Sequence, residues 1–430
     1  MNSFWRIFSL EFTAAVRSKS LALLLVASIA WMFAAPFLFV GDGTPEGARA
    51  IVVHYSLGGV AALLAVSLLA SATGAIARER AAKRLQLTLV RPVRHSAVAL
   101  AKTAALASIG ALVLTAASVV ELCRNDLSRP CRHVLSPVMP TPREEAAMMY
   151  EAFMRDPETP PQVRRAKKSV VLRLLAQRSL DRYDTVATND TIRWTFNLGD
   201  RATQDALSVR LRFTNAYDAR DDVRGDLELR VGGDVWRGSV TNITQAVVEI
   251  PLSKEATGEA AEKGEGAAKA ELSFRNLGGS ALMLRPRRDV NLLAPADGFG
   301  WNLLRAYIEL VAMLSLLIAF GVFLGAGLGR PVALFTAIVA LAVSEMSPSV
   351  IEQYPDELET DRLDAIGLYI TRAAAEATHP ISSLEPLAKL SEDSCVERRE
   401  VVRTAVVNIV LVPLALALLA ALVMPRKVEA

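Results

Sequence analysis

The chain has 430 residues, of which 52% are hydrophobic and 22% are charged, and its mean hydropathy is +0.30. The apolar residues are concentrated in a few blocks, whereas residues 124–288 are as polar as an ordinary soluble domain. This distribution excludes both a single soluble globule and a chain that lies entirely in a membrane, and the formal net charge of +3 is too small to indicate nucleic-acid binding.

The N-terminal segment 1–19 predicts an amphipathic helix that lies in a membrane interface. Phe4, Phe8 and Phe12 recur at steps of four residues and form an apolar face. Glu11 falls near the middle of this face, so either it meets a protein partner or the helix is imperfect.

Six apolar runs predict membrane-spanning helices, because roughly 20 mostly apolar residues cross the hydrocarbon core as a helix. They are 21–40, 55–77, 103–120, 303–328, 332–346 and 402–424, and the fifth meets the length only marginally. The lysines and arginines at 17–19, 78–102, 330 and 426–427 all fall on one side of this arrangement. Lys and Arg prefer the cytoplasmic side. We therefore predict a multi-pass protein of the cytoplasmic (inner) membrane with both termini inside and with 122–300 and 347–400 outside. If the cell is Gram-negative, these outer segments lie in the periplasm.

The loop 78–102 is the most informative segment, and it reads RERAAKRLQLTLVRPVRHSAVALAK. A basic loop here also follows from the positive-inside rule alone. However, a short exposed helix with apolar knobs and a cationic rim is typical of a surface that docks into a protein pocket. The residues that would form this docking surface are Arg80, Lys83, Arg84, Leu85, Leu87, Leu89, Arg91, Pro92 and Arg94.

The order of parts in this loop resembles the permease subunits of type-2 ATP-binding-cassette (ABC) exporters. In that family a charged Arg-Glu pair ends span two, and a leucine-rich stretch, a Pro-Val break and a lysine follow. Here the pair is Arg78-Glu79, the break is Pro92-Val93 and the lysine is Lys102. Gln86 stands where family members commonly carry glutamate. The resemblance covers the membrane half of the chain and not 122–300.

The resemblance implies a fold and a set of partners. The fold would be a mainly α-helical polytopic membrane protein with six transmembrane helices of the type-2 permease fold. The sequence adds to it an inserted extracytoplasmic α+β domain, which the resemblance does not cover. The loop would be the coupling helix that sits in a groove of a cytoplasmic ABC ATPase subunit. A second permease, identical or different, would complete the exporter, and membrane lipid would surround it.

The predicted domains follow this division. Segment 20–121 holds spans one to three, 301–346 holds spans four and five, and 401–430 holds span six and a cytoplasmic tail. In the family, the segment 347–400 re-enters the outer leaflet as short helices. The chain has no Gly-x-x-x-x-Gly-Lys-Ser/Thr motif, no Gly-x-Ser-x-Gly and only scattered histidines. We expect no catalytic site, cofactor or metal in this chain, and ATP with Mg²⁺ to be bound by the ATPase partner.

The insertion 122–300 predicts a helical part at 142–184 and a β-sandwich at 190–293, where apolar and polar residues alternate. Its aromatic residues either form a sugar-stacking platform or belong to the core, and ordinary burial tendencies favour the core. They are Phe213, Tyr217, Trp194 and Trp236. An alternative function is a membrane-anchored extracytoplasmic receptor or assembly factor that acts through this domain.

The cysteines and the charges near span ends leave several alternatives open. Cys123 and Cys131 flank a short loop that a disulfide can close, or they are unpaired thiols, or they bind a metal with His133. Cys395 would then be free or pair with another chain. Arg305 and Glu309 lie four residues apart in span four, either as transport-pathway charges or as a local pair.

Overall fold

A computed structural model describes residues 2–39, 45–83, 93–125, 130–157, 159–180, 182–198, 207–215, 221–231, 234–244, 247–255, 269–353 and 385–424. The chain divides into two compact units. The first, here called the helical unit, contains Met1–Cys131, Asp297–Val350 and the C-terminal helices. The second, here called the β unit, contains Arg132–Ala296.

Helices occupy both ends of the chain, and the described strands all lie between α4 and α9. In order they are α1 (Asn2–Val16), α2 (Lys19–Leu38), α3 (Pro45–Ala81), α4 (His95–Arg124), β1 (Pro130–Leu135), α5 (Pro142–Arg155), α6 (Pro161–Arg164), α7 (Lys168–Leu180), β2 (Asp184–Val186), β3 (Thr191–Asn197), β4 (Leu207–Arg212), β5 (Asp222–Val231), β6 (Asp234–Ile243), β7 (Val247–Glu255), β8 (Lys269–Asn276), β9 (Leu282–Leu284), α8 (Pro286–Asp289), β10 (Val290–Gly298), α9 (Phe299–Gly327), α10 (Arg330–Gln353), α11 (Glu385–Ser391), α12 (Arg398–Ala405), a π-helical turn (Val406–Leu411) and α13 (Val412–Val423).

Within the part of the chain that the structure describes, four helices are long and apolar enough to cross a membrane, as the hydrophobic runs predicted for spans two, three, four and six. They are Ala48–Ala81, His95–Arg124, Phe299–Gly327 and Arg398–Val423. Predicted spans one and five are also helical, but their described apolar stretches, Ala22–Leu38 and Arg330–Ala342, are only 10–17 residues long. The structure therefore supports a membrane protein with four candidate spans, and the six-span arrangement stays a prediction.

The central helix of the helical unit is α9, which packs against α3, α4 and α13. In an apolar stretch of 18 residues of α9, 72% of the residues are buried inside the protein, whereas 22% are buried in the corresponding stretch of Arg398–Val423. The difference has a simple physical origin, because α9 contacts apolar neighbours around most of its circumference. Helix α1 packs on α4, which the amphipathic pattern alone did not indicate.

The strands of the β unit form one eight-stranded sheet in the order β1-β10-β4-β7-β6-β5-β8-β3, and β2 pairs with β9. The sequence predicted a sandwich of separate sheets, whereas the short β6–β7 pairing joins two four-stranded halves into one sheet. The ring of Phe213, just after β4, lies 4.8 Å from the ring of Phe274 in β8. The sheet must therefore curve around a shared core, because these strands are four positions apart.

Alternating runs in the sequence predict six strands, at 191–198, 208–214, 226–231, 245–252, 269–275 and 281–284. They correspond to β3, β4, β5, β7, β8 and β9, whereas the pattern did not indicate β1, β2, β6 or β10. The core interpretation of the aromatic residues is confirmed for Trp194, Trp236 and Phe213, which are at most 5% exposed. Tyr217 lies outside the described residues. In the predicted helical part, α5 begins with a capping box of Thr141 and Glu144 and packs on α7.

Candidate functional site

The C-terminal end of α3 carries the charged Arg78-Glu79-Arg80 segment that opens the predicted coupling loop. The helix ends at Ala81, and Lys83 has a positive φ of 54°. A left-handed residue at this point stops the helix and turns the chain away. Lys83 and Arg94, on either side of the loop, are both exposed.

Most of the predicted docking surface falls between these two residues. Arg84, Leu85, Leu87, Leu89, Arg91 and Pro92 lie outside the described residues. Their assignment to an ATPase-docking helix therefore stays a prediction, and the structure bears only on the two ends of the loop.

A buried lysine connects three helices beside this loop. Lys102 of α4 is 2% exposed. Its ammonium donates to Glu11 Oε2 of α1 at 2.7 Å and to Glu79 Oε1 of α3 at 2.8 Å. Removing an ammonium from water is costly unless carboxylates replace its hydration, so this arrangement holds the three helix surfaces together. The cluster also explains Glu11, whose partner in the otherwise apolar face of α1 is this lysine.

Arg80 links the same helix end to α9. Its guanidinium donates to the carbonyl oxygens of Ala326 at 2.8 Å, Gly327 at 3.2 Å and Leu328 at 2.7 Å. The last carbonyls of a helix have no partner within the helix and carry partial negative charge, so an arginine satisfies them well. Arg80, predicted as part of the docking rim, is thus bound to α9 within the chain.

Helices α3 and α9 also approach closely because small residues line their contact. A Cβ added at Gly321 would lie 2.9 Å from the Cβ of Ala72, and one added at Gly325 would overlap the carbonyl oxygen of Thr73. The Gly-x-x-x-Gly spacing in the fourth apolar run is the sequence signal for this contact.

A second polar cluster lies at the opposite end of α9, where Arg305 is 8% exposed. Arg305 forms an ion pair with Asp297 and donates to the carbonyl oxygen of Val396 at 3.3 Å. Arg398 binds the same carboxylate at 3.2 Å. The hydrogen bond from Arg305, supported by Arg398, holds the pKa of Asp297 below its ordinary value. Asn302 donates to the Ser394 carbonyl and accepts from the Val396 amide, each at 2.8 Å.

These contacts change the interpretation of Arg305. The predicted partner was Glu309, and the structure shows Asp297 and the Val396 carbonyl as partners that the sequence did not suggest. A pair with Glu309 and a role in a transport pathway both stay predictions.

The predicted Cys123–Cys131 disulfide is wrong. Cys131 is bridged to Cys395, with the Cα atoms 5.3 Å apart, and Cys123 is free and exposed. Cys123 belongs to the last turn of α4, whereas Cys131 lies in β1 and is 2% exposed. Short sequence spacing therefore did not decide the pairing, and Cys395 is neither free nor paired with another chain. A metal site of Cys123, Cys131 and His133 is excluded in this state because the Cys131 sulfur is in the bridge.

Near the disulfide, the segment around Cys395 is held by a further ion pair. Arg49 of α3 contacts both carboxylate oxygens of Asp393, at 2.7 and 2.6 Å. The segment 393–398 is therefore bound to α3, α9 and β1 through side chains whose spacing in the sequence gives no sign of the contact.

Comparisons with family models, curated proteins and solved structures find no significant match for this chain. Among the described residues, no group of three or more His, Cys, Asp or Glu side chains is placed to hold a metal ion. The described clusters consist of ion pairs and hydrogen bonds that join helices to one another, to Asp297 and to the segment 393–398.

Proposed function

We propose that this chain is the membrane permease subunit of an ATP-driven exporter of the type-2 ABC class. It would work with a second permease and two cytoplasmic ATPase subunits, which bind ATP and Mg²⁺ and carry out the hydrolysis. The substrate would pass between the two permeases as their facing alternates.

The observation that carries the proposal is a pair of contacts at the C-terminal end of α3, where the loop begins. Glu79 is bound to Lys102, and Arg80 is bound to the end of α9. A force applied to the loop by a docked ATPase would therefore act on α1, α3, α4 and α9 together. A loop that only obeyed the positive-inside rule would not require two such connections.

The docking step is tested by co-purification with the ATPase expressed alongside this chain. We expect the wild-type chain to recover the ATPase, and Leu85→Asp/Leu87→Asp/Leu89→Asp to lose it, since carboxylates replace the apolar knobs. The matched control is Val170→Asp/Leu174→Asp, which changes two exposed apolar residues of α7 and should recover the ATPase fully.

Two outcomes would overturn the proposal. One is that no ATPase is recovered with the intact loop, which would favour the receptor or assembly-factor alternative. The other is that the triple aspartate variant recovers as much ATPase as the wild type.

A further inference from the structure

Helix α7 of the β unit lies in a stretch of one-sided charge, because residues 159–180 contain six lysines and arginines and no aspartate or glutamate. The helix packs on α5. Its inward side chains include Val171 and Leu175, which are 0% and 2% exposed and lie in an apolar cluster with Ala146 of α5. The opposite side of α7 therefore faces outward.

This outward side combines cations with apolar side chains. It consists of Lys167, Val170, Leu174, Gln177 and Arg178, here called the outer face of α7. Steps of three and four residues place them on one side of a helix, and Lys167 immediately precedes the first turn. All five are exposed, and Val170 and Leu174 are each 47% exposed.

The cations on and beside this face are not neutralised within the described part of the chain. Lys167 and Arg178 form no ion pair there, and neither does the exposed Arg165 in the turn before α7. Lys168 lies over the ring of Tyr150, with its ammonium 5.3 Å from the ring centroid, and it has no carboxylate partner among the described residues. The face therefore presents positive charge that the β unit does not compensate.

An anionic lipid surface matches this face. Lys167 and Arg178 are eleven positions apart, about 16 Å along a helix, so they do not converge on one small anion. Exposed Val170 and Leu174 lie between them, which suits a contact in which cations meet headgroups and apolar side chains enter the interface. A membrane is also within reach, because the chain enters the β unit from α4 and leaves it into α9, which are both long and apolar enough to cross one.

We propose that the outer face of α7 binds anionic phospholipid headgroups at the surface of the membrane that anchors the chain. Lys167 and Arg178 contact the phosphates, and Val170 and Leu174 lie against the acyl-chain boundary. This binding holds the β unit at the membrane surface. The proposal does not depend on the transport function.

The test places a fluorophore on this face of the full-length chain. Gln177→Cys is combined with Cys123→Ser, so that the label reacts at position 177, because Cys131 and Cys395 are bridged. The labelled chain is placed in nanodiscs of phosphatidylcholine, alone or mixed equally with phosphatidylglycerol, that contain a nitroxide lipid as quencher. We expect strong quenching with phosphatidylglycerol, weak quenching without it, and a loss of the difference when salt is added, because salt screens exposed charges.

Removal of charge from this face has a matched control in the same unit. Lys167→Gln/Arg178→Gln removes two cations, and each cation near an anionic surface changes binding about fivefold. The ratio of quenched to unquenched chains should therefore fall at least about tenfold. Lys269→Gln/Arg275→Gln removes two exposed cations of β8 and should leave the ratio unchanged. Circular dichroism checks that each variant retains the wild-type fold.

A third variant separates lipid binding from ATPase docking. Val170→Asp/Leu174→Asp should abolish the quenching, because carboxylates repel anionic headgroups. The same variant should still recover the ATPase, because α7 belongs to the β unit and the loop 78–102 belongs to the helical unit.

The proposal is overturned if quenching is equal in the two kinds of disc, or if Lys167→Gln/Arg178→Gln leaves the ratio unchanged. Absence of quenching in both kinds of disc also overturns it and favours an acidic protein partner. A disulfide that joins two unlabelled Gln177→Cys/Cys123→Ser chains through position 177 would overturn it in favour of a second copy of this chain.

Discussion

At the scale of single residues, the most consequential side chain is Lys102. It lies in an apolar helix and is bound by two carboxylates from two other helices. One cation between two anions leaves the cluster with a net charge of −1, so removing the cation leaves two partly buried carboxylates that repel each other.

We predict that Lys102→Met lowers the free energy of unfolding by roughly 3–5 kcal/mol, the usual cost of breaking a buried ion pair. Adding Glu11→Gln and Glu79→Gln should recover most of this loss, because no charge is then left unpaired. The measurement is the thermal unfolding midpoint of the purified chain in detergent. If Lys102→Met alone is as stable as the wild type, the cluster does not contribute to the free energy of unfolding.

Asp297 makes stability depend on pH. Its pKa is lowered in the folded protein, chiefly by the hydrogen bond from Arg305. A carboxyl whose folded pKa lies below its unfolded value contributes stability above the unfolded value, about 4, and loses it as the pH falls through the folded pKa.

We therefore predict that wild type is more stable than Asp297→Asn at neutral pH and that the difference shrinks below about pH 4. Unfolding midpoints measured from pH 7 to pH 2.5 check this, and Arg305→Gln should reduce the difference more than Arg398→Gln. A difference that stays constant with pH would mean that the ion pairs of Asp297 do not contribute.

At the scale of elements, the apolar runs located the helices because a spanning helix must be apolar along its whole length. The alternating pattern located six strands for a related reason, since one face of the sheet is buried. Pairing between helices followed a different rule, in which Gly321 and Gly325 allow α9 to approach α3.

We predict that Gly325→Ala separates α3 from α9 and lowers the free energy of unfolding by about 1–3 kcal/mol, as overpacking usually does. The matched control is Gly329→Ala, because a Cβ there meets nothing within 4 Å. Thermal unfolding of both variants in detergent provides the measurement. Equal stability of the two would contradict the close helix contact.

At the scale of the whole molecule, the disulfide joins positions with a sequence separation of 264. The loop that it closes contains the entire sequence of the β unit. The two cysteines that lie near each other in the sequence are not paired with each other, because Cys131 is bridged to Cys395.

We predict that the denatured, unreduced protein reacts with one equivalent of maleimide, at Cys123, and that the reduced protein reacts with three. In the denatured, unreduced protein, Cys123→Ser should abolish the reaction with maleimide. Mass spectrometry identifies the labelled peptide, and label on Cys395 before reduction would refute the observed pairing.

The same free thiol tests the predicted topology. With 122–300 outside the cytoplasm, a membrane-impermeant maleimide should label Cys123 in intact cells of a Gram-negative host with a permeable outer membrane, and Cys123→Ser should remove that signal. Labelling that requires disruption of the inner membrane would reverse the predicted orientation.

The sequence by itself determined the positions of four helices that are long and apolar enough to cross a membrane, and of most strands of the β unit, because local periodicity and length decide which faces are buried. The charged loop 78–102 suggested a function, which co-purification with the ATPase tests. Only the tertiary structure decided the partners of the polar groups. Lys102 meets Glu11 across 91 positions, and Cys131 meets Cys395 across 264. Such pairs depend on which elements of the chain come together in space, and no local pattern encodes that.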